Sequence, residues 1–270
     1  INVMRGGPGL GNIAPSQGDY NQMVHGGGHG DYHLIVLAPA SVQEAIDLTV
    51  LAFDLAEKYR SLAVVIADGN IGQMMEPAEL PAMQPLRKSV PEWAIQGSQV
   101  RERRILSSIY IQPEDEEVVN IRLLERWKEI EANEVRYKEY FLDDARIVVI
   151  GYGTAGRVAF SAVRSAREQG IPVGLLRPIT VSPFPFEKVA SLVPQADAFL
   201  VVEMSTGQML DDVSRSVGGR IPVEFYGRLG GVVPFPDEVL DEIHRVASNP
   251  IQAGQDPREG WLQRLKSITN

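Results

Sequence analysis

Apolar residues in the first third of the chain follow two different spacings. Residues 33–38 (HLIVLA) and 62–67 (LAVVIA) are continuous apolar runs with the length of a buried strand. Between them, Ser41-Val-Gln-Glu44 has the form of a capping box, and apolar residues then recur every three or four positions to about Tyr59. Strand, helix and strand with short connections predict parallel pairing, because parallel strands need a crossover element.

The middle of the chain lacks such a pattern before residue 113. Prolines at 77, 81, 85 and 91 mark residues 74–99 as an extended connector, and the apolar run 105–111 is interpreted as a strand. Pro113 and the four acidic residues after it suit the first turn of a helix. We expect a long bridging helix from there to about Asp143, with one apolar side formed by Ile121, Leu124, Trp127 and Ile130.

The alternation of strand and helix patterns restarts at Arg146. Apolar runs at 147–150, 173–176, 198–202 and 223–225 are followed by helical patterns over 155–169, 186–193, 207–217 and 237–247. This order predicts a second α/β domain. The expected fold class is therefore α/β with two parallel-sheet domains, over residues 1–100 and 145–270, joined by a linker and long helix over 101–144.

Composition and charge make two functional classes improbable, nucleic-acid-binding proteins and membrane proteins. The chain has 270 residues, and its 26 Lys and Arg against 35 Asp and Glu give a net charge of −9, which disfavours nucleic acid as a partner. No apolar stretch approaches the roughly 20 residues of a membrane span, and no signal-peptide layout is present, so we expect a cytoplasmic protein without a membrane partner. The first residue, Ile1, lies inside an apparent strand, which indicates a fragment or a processed chain.

The absence of cysteine also bears on redox chemistry. With no cysteine, the chain has no disulfide and no thiolate ligand for an iron–sulfur cluster. Any redox centre would then lie on a partner chain or a diffusible cofactor.

Gly151, Gly153 and Gly156 form a G-x-G-x-x-G motif directly after a predicted strand, the arrangement that cradles a pyrophosphate in dinucleotide-binding domains. The acidic residue expected at the end of the next strand is missing, since that strand ends in Leu176-Arg177-Pro178. Arg177 would suit a 2′-phosphate. A nicotinamide site is thus one interpretation, and a tight turn that merely needs glycine is the favoured one.

Three histidines, His25, His29 and His33, are spaced at fours, with Asp31 between the last two, as if for a metal. Four glycines lie between them and make a helix there improbable. Loop histidines with backbone hydrogen bonds are therefore favoured over a metal site.

The glycine-rich stretch 5–31 is predicted to be a long ordered loop. Its first part, residues 5–20, lies just beyond a strand, where α/β sheets bind ligands. Arg5 is its only cation, and an arginine among free backbone N–H groups suits a carboxylate or a phosphate. The alternative is an Arg5 that pairs with Asp19 or with a helix end.

Several separate motifs carry a family resemblance that spans essentially the whole chain. They are RGGPGLG at 5–11, PSQGDY at 15–20, GGGHGDY at 26–32, ADGNIGQMMEP at 67–77, GYGTAGR at 151–157, GLLRPITVSPFP at 174–185 and VEMSTGQM at 202–209. Together they resemble the alpha subunit of 2-oxoacid:ferredoxin oxidoreductases, and above all the branched-chain (2-oxoisovalerate) type. The second half looks like the transketolase C-terminal-like domain of that family.

The resemblance implies a thiamine-diphosphate enzyme whose alpha subunit contains a pyrimidine-binding domain, present here in part. It implies a beta subunit with the diphosphate and Mg site, gamma and ferredoxin-like delta subunits, and iron–sulfur clusters on partner chains. The implied reaction decarboxylates a 2-oxoacid, passes electrons to ferredoxin and releases an acyl-CoA. This agrees with the lack of cysteine.

Residue by residue, the resemblance implies that Arg5 holds the carboxylate of the 2-oxoacid. In the same loop, Asn12, Ser16, Gln17 and Asp19 would orient the substrate or contact the beta subunit. The glutamate that protonates the aminopyrimidine lies upstream of the loop motif in the family, so this chain alone is expected to be inactive. A nicotinamide-dependent dehydrogenase and a non-catalytic docking subunit are the alternative functions.

Overall fold

The computed structural model describes residues 1–83, 85, 89–95 and 105–269. In the first half, the elements in chain order are β1 (Asn2–Met4), α1 (Tyr20–Val24), β2 (Ile35–Leu37), α2 (Val42–Tyr59), β3 (Ala63–Asp68) and α3 (Gly69–Gln73). Strand β3 pairs in parallel with both β1 and β2, which confirms the predicted strand–helix–strand unit. Helices α1 and α3 were not predicted, and α1 lies within the stretch 5–31 that was expected to be a loop.

Helix α2 begins and ends where its sequence predicts. Ser41 is extended and its Oγ accepts a hydrogen bond from Glu44 N at 3.1 Å. In the usual capping box the Glu44 carboxylate would accept from the N-cap residue, Ser41 N. Here it accepts instead from the preceding residue, Ala40 N, at 2.9 Å. The apolar side of α2 packs on β2 and β3 through Leu48, Ala52 and Leu55.

Helix α4 (Pro113–Asn133) starts at the predicted proline but ends ten residues before the predicted limit. The next residues form β4 (Tyr137–Tyr140), which the sequence analysis read as helix. The helix stops because the Glu134 carboxylate is buried and accepts from Lys58 Nζ, Tyr59 Oη and Arg136 Nη2. Only the C-terminal part of its predicted apolar side packs, with Ile130 buried against α2, while Ile121 and Leu124 are half exposed.

The described residues of 74–95 contain no helix or strand, and Ala94 N donates to Pro91 O at 3.0 Å in a turn; residues 96–99 of the predicted connector lie outside the described part. The predicted strand at 105–111 is wrong. These residues have no strand partner in the described structure, and their apolar side chains are exposed. An apolar run becomes a strand only where a neighbouring strand satisfies its backbone, and none of the described residues forms a strand beside this run.

The second half continues with β5 (Ile147–Ile150), α5 (Gly153–Glu168), β6 (Val173–Pro178), β7 (Thr180–Ser182), α6 (Phe186–Leu192), β8 (Ala198–Glu203), α7 (Gln208–Val217), β9 (Val223–Gly227), α8 (Pro236–Ser248) and α9 (Pro257–Thr269). Its sheet has the order β4-β6-β5-β8-β9, parallel except for the edge strand β4. The predicted α/β class with two parallel sheets is confirmed. Strand β7 and helix α9 were not predicted.

Strand β7 links the two halves. It follows β6 in the sequence, yet it pairs antiparallel with β2 and completes the first sheet in the order β1-β3-β2-β7. A single apolar core also contains residues of both halves, including Met4, Tyr20 and Ile66 beside Val149 and Val201. Two strands therefore lie across the boundary predicted near Asp144: β4 precedes it but belongs to the second sheet, and β7 follows it but belongs to the first.

Candidate functional site

The glycine-rich loop is a closed structure at the carboxyl end of β1. Its two ends meet in a bridge between Arg5 and Pro15, and Gly6 N donates to Ala14 O at 2.8 Å. Inside the loop, Asn12 N donates to Gly6 O at 2.9 Å. Ligands of open α/β sheets bind outside the carboxyl ends of the strands, and this loop occupies that position.

Arg5 lies on the exposed side of this loop. Its Nη1 donates to three backbone carbonyls of the same loop, Leu10 O, Gly6 O at 3.4 Å and Asn12 O at 3.4 Å. Among the described residues, no carboxylate lies within ion-pair distance of the guanidinium, and Nε and Nη2 make no hydrogen bond. The alternative pairing with Asp19 is not formed, because Asp19 accepts from Asn2 Nδ2 at 3.4 Å instead. The loop therefore orients a cation whose remaining donors face outward.

Asn12 joins the loop to the second half of the chain. Its Nδ2 donates to Gly230 O at 2.7 Å, and its Oδ1 accepts from Ala14 N at 2.9 Å. Because its backbone carbonyl also accepts from Arg5, Asn12 contacts both the guanidinium and the distant loop.

Ser16 and Gln17 are buried between the two halves. Gln17 Nε2 donates to Tyr152 O at 2.9 Å, and Gln17 Oε1 accepts from Met204 N at 2.9 Å. Ser16 Oγ donates to Met204 O at 3.4 Å and accepts from Gly18 N at 3.1 Å. These hydrogen bonds hold the loop against the second sheet, so Ser16 and Gln17 position the loop.

The G-x-G-x-x-G turn is closed by a residue that the sequence analysis missed. The buried Asp68 carboxylate at the end of β3 accepts from Thr154 N at 3.0 Å and from Thr154 Oγ1 at 2.7 Å, so it caps α5. A Cβ on Gly153 would stand 2.9 Å from Asp68 Oδ2. The place where a pyrophosphate would bind a helix N-terminus is thus taken by a protein carboxylate. An acidic residue directly after a predicted strand was the available sequence signal.

Arg177, considered for a 2′-phosphate, is buried in an ion pair with Glu44. Its Nη1 and Nη2 donate to the two carboxylate oxygens at 3.0 and 2.5 Å. Burial pulls the pKa of Glu44 upward, but the hydrogen bonds from Lys138 and Arg177 outweigh it and lower that pKa below its ordinary value. This ion pair joins β6 to α2, and the Arg177 guanidinium is therefore already bound to a carboxylate and not available to a 2′-phosphate.

The three histidines are not brought together. His25 Nε2 lies 3.4 Å from Asp212 Oδ2, His33 stacks on Trp127 with ring centroids 4.5 Å apart, and His29 has a left-handed backbone. No group of three His, Asp or Glu side chains suited to a metal occurs in the described part of the chain.

A buried group of tyrosines and acids lies between α1 and α7. Tyr20 Oη donates to Asp212 Oδ2 at 2.7 Å, and burial together with this neighbour raises the pKa of Tyr20. Burial also raises the pKa of Glu203 to about 7, although that carboxylate accepts from Met209 N and Leu210 N and so caps α7. Their contacts are internal, so this group holds α1 in place.

Comparison with known proteins agrees with the loop and the fold. Residues 1–140 match the family model described as pyruvate flavodoxin/ferredoxin oxidoreductase, thiamine diP-bdg, and residues 145–239 match pyruvate:ferredoxin oxidoreductase core domain II. The ketoisovalerate oxidoreductase subunit VorB of Methanothermobacter thermautotrophicus is 48% identical over 249 residues, which cover 92% of this chain and 70% of that protein. The 2-oxoglutarate synthase subunit KorA of Methanothermobacter marburgensis is 34% identical over 90% of this chain and 72% of its own length.

A solved structure supports the fold. The 2-oxoglutarate:ferredoxin oxidoreductase from Magnetococcus marinus, with 2-oxoglutarate, coenzyme A and succinyl-CoA bound, matches with a TM-score of 0.72 at 18% identity, over 91% of this chain and 48% of that one. The matches define the chain as an oxidoreductase subunit. It belongs to the 2-oxoacid:ferredoxin oxidoreductase family, which confirms the predicted resemblance. No helix in the described residues is long and apolar enough to cross a membrane.

The described residues do not fit a thiamine diphosphate cofactor on their own. The Asp68 carboxylate at the carboxyl end of β3 already caps α5 and is not available to a cofactor. At the carboxyl end of β1, the charged residue of the loop is Arg5, which is not an acid. The described part of the chain also lacks an acidic cluster for the metal of a diphosphate. A cofactor bound here would need ligands and an acid from outside the described residues.

Proposed function

We propose that this chain is the alpha-type subunit of a thiamine-diphosphate-dependent oxidoreductase that acts on a branched-chain 2-oxoacid such as 2-oxoisovalerate. In the reaction, the bond between the carbonyl carbon and the carboxylate breaks and CO₂ leaves. The acyl group forms a thioester with CoA, and two electrons pass singly to two molecules of oxidised ferredoxin. The 48% identity to a ketoisovalerate oxidoreductase subunit supports the substrate class.

The observation that carries the proposal is the state of Arg5. Its Nη1 is held by the loop carbonyls, no carboxylate of the described chain neutralises it, and the exposed residue follows directly on the carboxyl end of β1. A guanidinium held in this way can bind a carboxylate through two parallel hydrogen bonds. Arg5 then binds and orients the substrate carboxylate, while Asn12, Ser16 and Gln17 keep the loop in shape and Asp19 fixes its far end through Asn2.

Other chains complete the site in this proposal. A beta subunit holds the cofactor diphosphate with Mg, and gamma and ferredoxin-like delta subunits join the complex. The iron–sulfur clusters lie on partner chains, because this chain has no cysteine to bind them. When bound, the cofactor supplies the carbon nucleophile for decarboxylation. The loop tip offers a surface for a partner subunit, since Leu10 and Ile13 are 92% and 84% exposed.

The test is CoA-dependent reduction of a viologen dye by the complete complex, purified anaerobically and given a panel of 2-oxoacids. We expect reduction that requires thiamine diphosphate and is fastest with 2-oxoisovalerate. A preference for 2-oxoglutarate or pyruvate would overturn the substrate assignment. No reduction by a complex that carries its clusters would overturn the reaction and favour the dehydrogenase or docking alternatives.

A further inference from the structure

The glycine loop that carries Arg5 rests on a second loop from the other half of the chain. This support loop, residues 229–233, follows β9 and contains Gly230 and Gly231. Asn12 Nδ2 donates to Gly230 O at 2.7 Å across a sequence separation of 218 residues. The two loops therefore meet through a hydrogen bond that neither half could form alone.

The contact is close enough to require glycine on both sides. A Cβ on Gly231, whose φ is +100°, would stand 2.4 Å from Ala14 Cβ and 2.9 Å from Asn12 Oδ1. A Cβ on Gly6 would stand 2.9 Å from Gly230 O. Side chains at these positions would push the loops apart.

The support loop is itself anchored at both ends. Arg228 N donates to Glu203 O at 3.2 Å, and Arg228 Nη1 donates to Glu238 Oε1 at 2.6 Å. The other oxygen of Glu238 accepts from Phe235 N at 2.8 Å. One carboxylate thus ties the start of the segment to its end, and Val232 N donates to Leu229 O at 3.2 Å inside it.

We propose that the support loop is a positioning element for the substrate-binding arginine, with Gly231 and Asn12 as its positioning residues. Asn12 transmits the position directly, because its side chain holds Gly230 O while its backbone carbonyl accepts from Arg5 Nη1. This inference rests on the proposed function of Arg5. It adds that the second half of the chain sets where the guanidinium stands.

The experiment compares Gly231→Ala with Gly219→Ala in the complete oxidoreductase complex. Gly219 has a φ of +70° and no atom within 4 Å of an added Cβ, so its variant reproduces the backbone strain without the loop contact. We expect Gly231→Ala to raise the KM for the 2-oxoacid about tenfold relative to Gly219→Ala, with the KM for CoA unchanged. Amide hydrogen exchange in residues 6–14 should be several-fold faster in Gly231→Ala. Equal exchange rates and equal KM values in the two variants would overturn the inference.

A double variant separates this inference from the function of Arg5. If Gly231 acts through the guanidinium, Gly231→Ala should not raise the KM further in an Arg5→Ala background. The same increase in both backgrounds would mean that Gly231 acts elsewhere and would overturn the positioning role. An Arg5→Ala variant with an unchanged KM would instead overturn the proposed function, while the hydrogen-exchange result would still decide whether the two loops are coupled.

Discussion

The Asp68 carboxylate binds Thr154 twice, through its backbone N–H at 3.0 Å and its hydroxyl at 2.7 Å, although 86 residues separate them. The same carboxylate accepts from Asn70 N and Ile71 N, so it caps α3 and α5 together. A buried anion shared by two helix N-termini is stabilised by both helix dipoles. It fixes the first sheet against the helix that would carry a nucleotide in a dinucleotide-binding domain.

Removal of this shared cap should destabilise the protein strongly. We expect Asp68→Ala to lower the free energy of unfolding by about 3–5 kcal/mol, because several buried donors lose their acceptor. Asp68→Asn should lose less, since one oxygen remains to accept. Denaturant unfolding measures both, with Asp54→Ala as a control because Asp54 is exposed on α2. A loss under 1 kcal/mol for Asp68→Ala would contradict the role of the cap.

The capped helix also leads to a prediction about nucleotides. NADH and NADPH should show no saturable binding at millimolar concentration, because the Asp68 carboxylate repels a pyrophosphate and occupies its donors. Tryptophan fluorescence and titration calorimetry would detect binding. Saturable binding that disappears in Gly151→Ala would show that the turn accepts a nucleotide after all.

Local sequence patterns predicted most helices and strands. The predictions failed where contacts with residues distant in sequence determine the structure. The cap and period of α2 predicted its start after Ser41 and its end near Tyr59, and the parallel strands followed from their apolar runs. By contrast, Tyr137 and Tyr140 are three residues apart with two charged residues between them, a spacing that suits a helix, and only pairing with β6 makes this segment a strand. No strand was predicted in the proline-rich segment after β6, yet β2 pairs with Thr180–Ser182.

Part of the candidate site could likewise be predicted from local sequence, and part depends on distant residues. Arg5 stood out in the sequence as a lone cation among glycines, and the structure leaves it without a carboxylate partner in the described chain. The burial of Gln17 and the cap by Asp68 depend on backbone groups more than 80 residues away. No periodicity or local motif encodes such a contact.

Glu203 should make stability depend on pH. Its pKa of about 7 in the folded protein lies above the ordinary value, so the folded state binds more protons than the unfolded state between about pH 4.5 and 7. Stability from this group therefore falls as the pH rises through that window, by about 3 kcal/mol in total. In Glu203→Gln this contribution is absent.

The measurement is the difference in unfolding free energy between the wild type and Glu203→Gln from pH 5 to 8. As the pH rises, the unfolding free energy of the wild type should fall steadily relative to that of Glu203→Gln, and the difference should level off above about pH 7.5. Asp241→Asn, at an exposed position on α8, is the control and should show a difference from the wild type that does not depend on pH. A flat difference for Glu203→Gln as well would mean that its donors, Met209 N, Leu210 N and Ser205 Oγ, keep the carboxylate ionised at low pH.

Arg5 carries the proposed function, and its replacement has a definite expected size. Arg5→Ala removes the carboxylate donors, and truncation of one partner of a buried charge pair costs about 2–4 kcal/mol, or about 30- to 1000-fold in kcat/KM for the 2-oxoacid. Arg5→Lys keeps the charge but loses the two-pronged geometry, so it should lie between Arg5→Ala and the wild type. Arg164→Ala, at an exposed position on α5, is the control for lost surface charge. If Arg5→Ala and Arg164→Ala have the same kcat/KM in the viologen assay, the guanidinium does not bind the substrate.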